Sequence, residues 1–247
     1  WLRQDLRLHD NLVLKAALDH HDSVIPVFIF DPKYWREDKF GHISTGSFRT
    51  KFIRETVQDL RDNLQRIGSE LLVRHGNPVA ILPELVRQFE AEAVYSSQEV
   101  ATREVRIEQQ VKEVLSVPYR RIWHASLYHP EDVPFEPEQA PDVYTNFRKK
   151  VEKYGTIQEP VPAPSEVPMP PVDDPGAIPG YEELGVNPPE ADERAVLHFE
   201  GGENPALERV DHYFWATHNL AQYKQTRNGL IGPDYSSKFS AWLNIGA

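Results

Sequence analysis

Fourteen of the chain's 21 prolines fall between Pro130 and Pro189. Proline fixes φ and lacks an N–H, so this span forms neither a long helix nor a central strand. One interruption, Asp142 to Tyr154, has helical character, with Phe147 and Val151 on one face. The prolines divide the 247 residues into a segment 1–129, a linker 130–203 and a closing segment 204–247. The linker is expected to be a long irregular connector hugging the surface, its acids in water.

Ahead of the linker the pattern alternates strand and helix. Trp1-Leu2 reads as the tail of a strand, and Asp10 as the cap of a helix through Leu12, Leu14, Ala17 and Leu18. Val24 to Phe30 is a near-continuous apolar run, as in a strand buried on both faces of a parallel sheet. Phe48, Phe52, Ile53, Val57, Leu60, Leu64 and Ile67 recur at helical spacing, and Gly68 closes that helix. Leu71 to Val73 is the next strand, and Asn77-Pro78 caps a helix through Phe89. Ala93 to Tyr95 is a strand, Arg103 to Leu115 a helix, and Tyr119 to Trp123 a last strand. Five strands with intervening helices predict a doubly wound α/β layer, Rossmann-like, with a mostly parallel five-stranded sheet.

Helix signals return at Asn204-Pro205. Leu207, Val210, Phe214, Thr217, Leu220 and Ala221 form a stripe that Asn228-Gly229 stops. A new helix follows with Phe239, Trp242 and Leu243 on its apolar face. Helices confined to 204–247 are too little to close a helical domain, so a C-terminal part is expected elsewhere. An opening on Trp1 without Met likewise predicts a trimmed N-terminus.

The formal net charge of −11 is unevenly spread, because residues 156–204 hold 11 acids and one Arg. Total charge therefore does not decide against nucleic acid. No apolar run approaches the ~20 residues that span a bilayer, so no membrane partner is expected. The absence of Cys excludes disulfides and a thiolate nucleophile. It fits an intracellular protein, cytoplasmic in a prokaryote, with organelle and nucleus left open. Oligomeric state is not legible.

Three stretches could carry chemistry. Ser236, Ser237, Lys238 and Ser240 crowd the expected first turn of the last helix. Free N–H groups, a dipole end, hydroxyls and an ammonium there suit a phosphate or pyrophosphate. A Ser-capped helix with a solvated lysine explains the same residues. The other two stretches fall beyond the carboxyl ends of expected strands, where open α/β sheets hold ligands. Arg3-Gln4-Asp5-Leu6-Arg7 with Asp10-Asn11 is either a ligand loop or a structural Arg–Asp pair. Ser96-Ser97-Gln98-Glu99 sets an amide beside a carboxylate, which suits the N–H edge of a pterin or purine. The ten His do not recur at ligand spacing, and no metal site is expected.

Trp1 to Asn11 resembles the opening signature of the DNA photolyase/cryptochrome family. Thr226-Arg227-Asn228-Gly229 and Asp234 to Leu243 are similar to the start of that family's all-helical FAD-binding domain. Tyr95 to Glu99, Asp142 to Lys149 and the Thr-Arg-Asn-Gly form resemble its cryptochrome DASH branch. The resemblance implies an α/β antenna domain, then a linker, then the first helices of an FAD-binding domain. It implies a blue/UV-A photoenzyme: reduced FAD injects an electron into a cyclobutane pyrimidine dimer flipped out of DNA, with 5,10-methenyltetrahydrofolate as antenna. DASH-like members resemble repair enzymes preferring single-stranded DNA.

By that resemblance Tyr223 packs near FAD, and Ser236, Ser237, Lys238, Phe239 and Ser240 wrap its phosphates. Arg227 contacts DNA or serves as a cation at a helix C-terminus. Glu99, with Gln98 beside it, contacts the folate. Catalytic, lesion-pocket and electron-relay positions of the family lie beyond residue 247. This piece is therefore expected to be inactive alone and to hold FAD and folate weakly or not at all. A signalling cryptochrome without repair and a nucleotide-binding α/β module are the competing functions.

Overall fold

The apolar run at Val24 to Phe30 yields strand β1, Val27–Phe30, with all four residues buried. A computed structural model describes residues 1–247, the side chain of Pro137 excepted. β1 pairs in parallel with β2, Leu72–His75. β3, Val94–Ser97, pairs in parallel with β4, Tyr119–Ile122. The expected first strand is present as one parallel bridge, Leu2 to Phe28. The expected five-stranded sheet is thus two two-stranded parallel ladders with the opening residues between them.

Alternation explains why the run is apolar throughout. Phe28 and Phe30 join Leu2, Val57, Leu60 and Leu64 in one core, while Val27 and Ile29 join Leu82, Leu85, Ile107 and Val111 in another. Helices α1 (Leu12–Leu18) and α2 (Ser47–Arg66) cover the first face. Helices α3 (Pro78–Gln88) and α4 (Thr102–Val114) cover the second. That is the doubly wound arrangement the alternation predicts.

Local signals mostly act as expected. Asn77 accepts from Val79 N–H at 3.1 Å with Pro78 in the first turn of α3. Gly68, at φ 77, closes α2. The cap of α1 is one residue later than predicted. Asn11 Oδ1 accepts from Leu14 N–H at 2.9 Å, while Asp10 sits in the left-handed region at φ 51.

The linker does more than cross the surface. Helix α5, Tyr144–Tyr154, buries Val151 as predicted, and Phe147 meets the Phe135 ring at 5.5 Å. Further on, Val167 and Leu184 are buried in the α2-side core, so the surface-hugging connector also adds side chains to it. Val73 N–H donates to Pro175 O at 2.7 Å, and Arg61 binds the Pro175 and Gly176 carbonyls. The outer edge of β2 is thereby covered, which blunts edge-to-edge association.

The closing segment departs most from expectation. Helix α6 spans Glu203–Asp211 with Gly202 as its N-cap, so Asn204 and Pro205 lie inside it. The predicted run to Asn228 breaks at a wide turn over His212–Ala216 and at His218, which is left-handed at φ 53. Helix α7 is only Tyr223–Thr226. The buried face of this region is Glu203, Arg209 and Tyr213, while Leu207 and Leu220 of the expected stripe are exposed. Helix α8 is Ser240–Ile245, burying Trp242 and Ile245 but leaving Leu243 exposed.

Candidate functional site

The Trp1 amine donates to Tyr95 O of β3 at 2.8 Å, while Leu2 N–H donates to Val27 O of β1. The opening residues therefore lie between the ladders. From them the chain runs outward to β1 and β2 on one side, then returns to β3 and β4 on the other. The crevice beyond the carboxyl ends of strands at such a reversal is the ligand position of open α/β sheets. A cavity of about 90 Å³ opens there, lined by residues including Arg3, Asp31, Tyr34, Trp35, Glu99 and Glu104.

A buried carboxylate behind this cavity anchors the loop that forms part of its wall. Glu108 of α4 is 1% exposed and accepts from Arg3 at 2.7 Å, Arg121 at 3.2 Å and the Glu99 backbone N–H at 2.9 Å. It ties the Glu99 loop to the first loop and to β4. Burial pushes the Glu99 carboxyl above the usual carboxylate range, with the Arg3 cation opposing. Tyr34 donates to Glu104 at 3.1 Å, and burial, then Glu104, pushes its phenol up to about 12. Asp31 is buried, and its Oδ2 has no partner. Acceptors beside Tyr34 and Trp35 suit a flat ligand edge with paired N–H donors better than they suit an anion. The pterin edge of a folate fits that donor set. Gln98 extends the β3–β4 ladder through its N–H to Ile122 O and does not line the cavity.

The second predicted cluster is assembled by a cation that the sequence reading passed over. Arg209, 7% exposed, binds Asp234 at 2.9 Å and the backbone oxygens of Pro233, Ser236 and Ser237. With those acceptors turned to Arg209, the hydroxyls of Ser236 and Ser237 and the main-chain N–H groups remain as donors for an anion. Lys238 is left-handed at φ 59 and its ammonium lies over the Tyr235 ring. Phe239 stacks on Phe214 at 5.8 Å. Ser236, Ser237 and Lys238 precede α8, and only Ser240 is within it, so the predicted first helical turn is instead an Arg209-centred loop. Such a loop still fits a phosphate chain through its donors. Tyr223 and Arg227, at the two ends of α7, are exposed.

Arg7 joins the first loop to the last residues of the chain and to the segment after β4. It donates to Gly246 O at 2.9 Å, to Asp10 O and to His124 Nε2 at 2.7 Å. A guanidinium has no acceptor, so His124 is neutral with its proton on Nδ1. Burial, then Arg7, lowers its pKa below the ordinary histidine value. An unfolded chain thus binds a proton that the folded one resists, and stability falls as pH drops below 6.5. His124→Gln is expected to flatten the decline in urea midpoint between about pH 7 and 5. An unchanged slope would assign that decline to other groups.

Glu108 and Arg209 carried a faint signal. Glu108 adjoins Ile107 and precedes Val111 on the buried stripe of α4, and Arg209 stands one turn before buried Tyr213. A charge on an apolar stripe points to a partner, but its identity comes only from tertiary contacts.

Comparison with known proteins gives a consistent result. The family model described as DNA photolyase matches residues 1–166. Cryptochrome DASH of Gloeobacter violaceus is 46% identical over 249 residues, covering 100% of this chain and 50% of that protein. The crystal structure of a Synechocystis cryptochrome superposes with a TM-score of 0.93 at 37% identity, covering 100% of this chain and 52% of that one. A Sulfolobus tokodaii photolyase, whose structure contains two FAD molecules, gives 0.75 at 22% identity over 99% of this chain and 51% of its own. The chain spans about half the length of the curated relatives it matches. Among the described residues, no helix is long and apolar enough to cross a membrane.

Proposed function

Because the chain belongs to the DNA photolyase family, we propose that it is the antenna half and flavin entry of a DASH-type, light-driven enzyme that repairs cyclobutane pyrimidine dimers. The carrying observation is the cavity at the sheet's reversal point, where Glu99 and Asp31 offer acceptors beside Tyr34 and Trp35. Glu99 and Asp31 would hold the pterin of 5,10-methenyltetrahydrofolate, with Gln98 a more distant companion. Ser236, Ser237, Lys238, Phe239 and Ser240 would hold the phosphates of FAD, and Tyr223 would pack against it. When bound, the folate supplies absorbed light and reduced FAD the electron that splits the dimer.

This chain's own residues bind and orient. Glu108 fixes the Glu99 loop, and Arg209 clears backbone oxygens from the path of an anion. Exposed Arg227 would reach the DNA backbone, with single-stranded damaged DNA as substrate. Family resemblance and the relatives' names support this function. The 247 residues alone are expected to show no repair.

In the whole protein, Glu99→Ala should lower folate affinity at least about tenfold while leaving the unfolding free energy in urea within ~0.5 kcal/mol of wild type. Near-ultraviolet absorbance of the purified protein reads the first quantity. Unchanged folate retention would remove Glu99 from the site. Blue-light repair of dimers in single-stranded oligonucleotides tests the enzyme itself. FAD-loaded protein without repair would favour a signalling cryptochrome.

A further inference from the structure

Charge is unbalanced in the cavity at the sheet's reversal point. Its lining holds three carboxylates, Asp31, Glu99 and Glu104, and two cations, Arg3 and Arg49. Arg3 is already committed to Glu108 at 2.7 Å, with 8% and 1% of the two side chains exposed. Arg49 is exposed and also lines a wider neighbouring groove, so water screens its charge. The lining therefore carries an excess of negative charge.

A cluster of acids is ordinarily only a solvated surface. Two observations set this one apart. Asp31 is 3% exposed, and although its Oδ1 accepts from Lys33 N–H at 3.0 Å, its Oδ2 has no partner. An unpaired buried carboxylate oxygen costs free energy that an entering N–H donor or cation recovers. The aromatic wall, in addition, has no proton left to give. Tyr34 donates its hydroxyl proton to Glu104 at 3.1 Å, and Trp35 donates its Nε1–H to Thr50 Oγ1 at 2.9 Å. Burial, then Glu104, pushes the Tyr34 phenol up to about 12, so that proton stays in place. To a ligand these two residues offer an acceptor oxygen and π-electron surface.

The Glu99 carboxyl registers the same crowding. Burial comes first in raising it and Arg3 opposes, but the like charges of Asp5, Glu108 and Glu104 add to the rise. An entering cation relieves that repulsion, and an anion worsens it.

We propose that the cavity selects a delocalised organic cation over a neutral ligand of similar shape, with Glu104 as the specificity-determining charge. The inference rests on the folate reading above and narrows it. In 5,10-methenyltetrahydrofolate a bridging carbon shares one positive charge between two nitrogens, whereas 5-formyltetrahydrofolate carries a pterin without that charge. Glu99 and Asp31 serve the pterin N–H edge of either. Glu104 adds the charge that only the methenyl form answers. A flat, weakly hydrated cation suits a π-lined pocket, and a neutral ligand would leave the carboxylates desolvated without compensation.

The test titrates the folate-free whole protein with 5,10-methenyl- and with 5-formyltetrahydrofolate, in mildly acidic buffer that preserves the bridge. Wild type is expected to bind the methenyl form at least about tenfold tighter. Gln at position 104 still accepts from Tyr34 but carries no charge. Glu104→Gln should therefore weaken the methenyl form roughly tenfold and the 5-formyl form less than about twofold, while Glu99→Ala weakens both. Equal affinities in wild type would overturn the selectivity and leave the folate site standing. Equal losses for both ligands in Glu104→Gln would likewise overturn it, by reducing Glu104 to a support for Tyr34. Binding of neither ligand by wild type would sink the folate reading and this inference together.

Discussion

Glu108→Gln is expected to cost the chain about 3–5 kcal/mol, read as a lower urea midpoint. The carboxylate is 1% exposed and Arg3, its nearest partner, has only 8% of its side chain exposed. Gln preserves shape but leaves the Arg3 guanidinium buried without its ion-pair partner. Arg121 is 40% exposed on its side chain, so water compensates its loss and it adds little. The Glu99 N–H also loses a charged acceptor, which frees the loop that forms the cavity wall. Folate affinity in the whole protein should therefore fall although Glu108 is not among the cavity-lining residues. A double-mutant cycle with Arg3→Met separates the pair from its members: the double mutant should recover part of the loss of Glu108→Gln. Additive losses would show that the two side chains act independently.

How far the sequence could foresee this site depends on the range of the interaction concerned. Asn77-Pro78, Gly68 and the apolar run into Phe30 act within a few residues, and their structural outcome follows from local rules. The two loops beyond the carboxyl ends of the first and third expected strands were legible too, because alternation with helices implies parallel strands whose carboxyl ends lie at one edge. Glu108 and Arg209 were not legible as anchors. Their partners lie 105 residues away at Arg3 and 25 away at Asp234, and no local periodicity encodes such pairs. The long helix expected from Asn204 failed for the same reason. Burial of Arg209 and Tyr213 sets which face turns inward, and the chain then kinks at His212–Ala216 to keep that face inward. An apolar stripe counted along the sequence, Leu207 to Leu220, lost to those contacts. The linker's carbonyl contacts were not legible, because proline excludes helices and ladder interiors but still offers acceptors. Pro168 and Pro175 accept from Val24 and Val73 with theirs.

A large effect of a single methyl group is expected at Gly201. An Ala Cβ there would stand 2.1 Å from Phe52 O, 2.6 Å from Thr56 Oγ1 and 2.9 Å from Thr56 N. Two of these are backbone atoms of α2, a 20-residue helix whose buried face is locked into the core, so the strap formed by residues 200–204 must lift instead. Lifting it strains the contacts that bind residues 200–204 to α2 and to the first loop. Gly201 N–H donates to Glu55 at 3.0 Å, and Asn204 binds Asp59. Glu203 accepts from the Leu8 and His9 N–H groups at 2.8 Å each. Gly201→Ala is expected to cost about 3 kcal/mol, at the upper end of overpacking. Limited proteolysis should then cut near residues 200–204 well before the wild type is cut there. Gly185→Ala is the control. Gly185 has φ +70 but nothing within 4 Å of an added Cβ, so backbone strain alone costs about 1 kcal/mol. If the two substitutions lowered the urea midpoint equally, close approach to α2 would not be what fixes the strap. A larger loss at Gly201, with early cleavage at 200–204, would place the junction between the α/β layer and the helical segment at this contact.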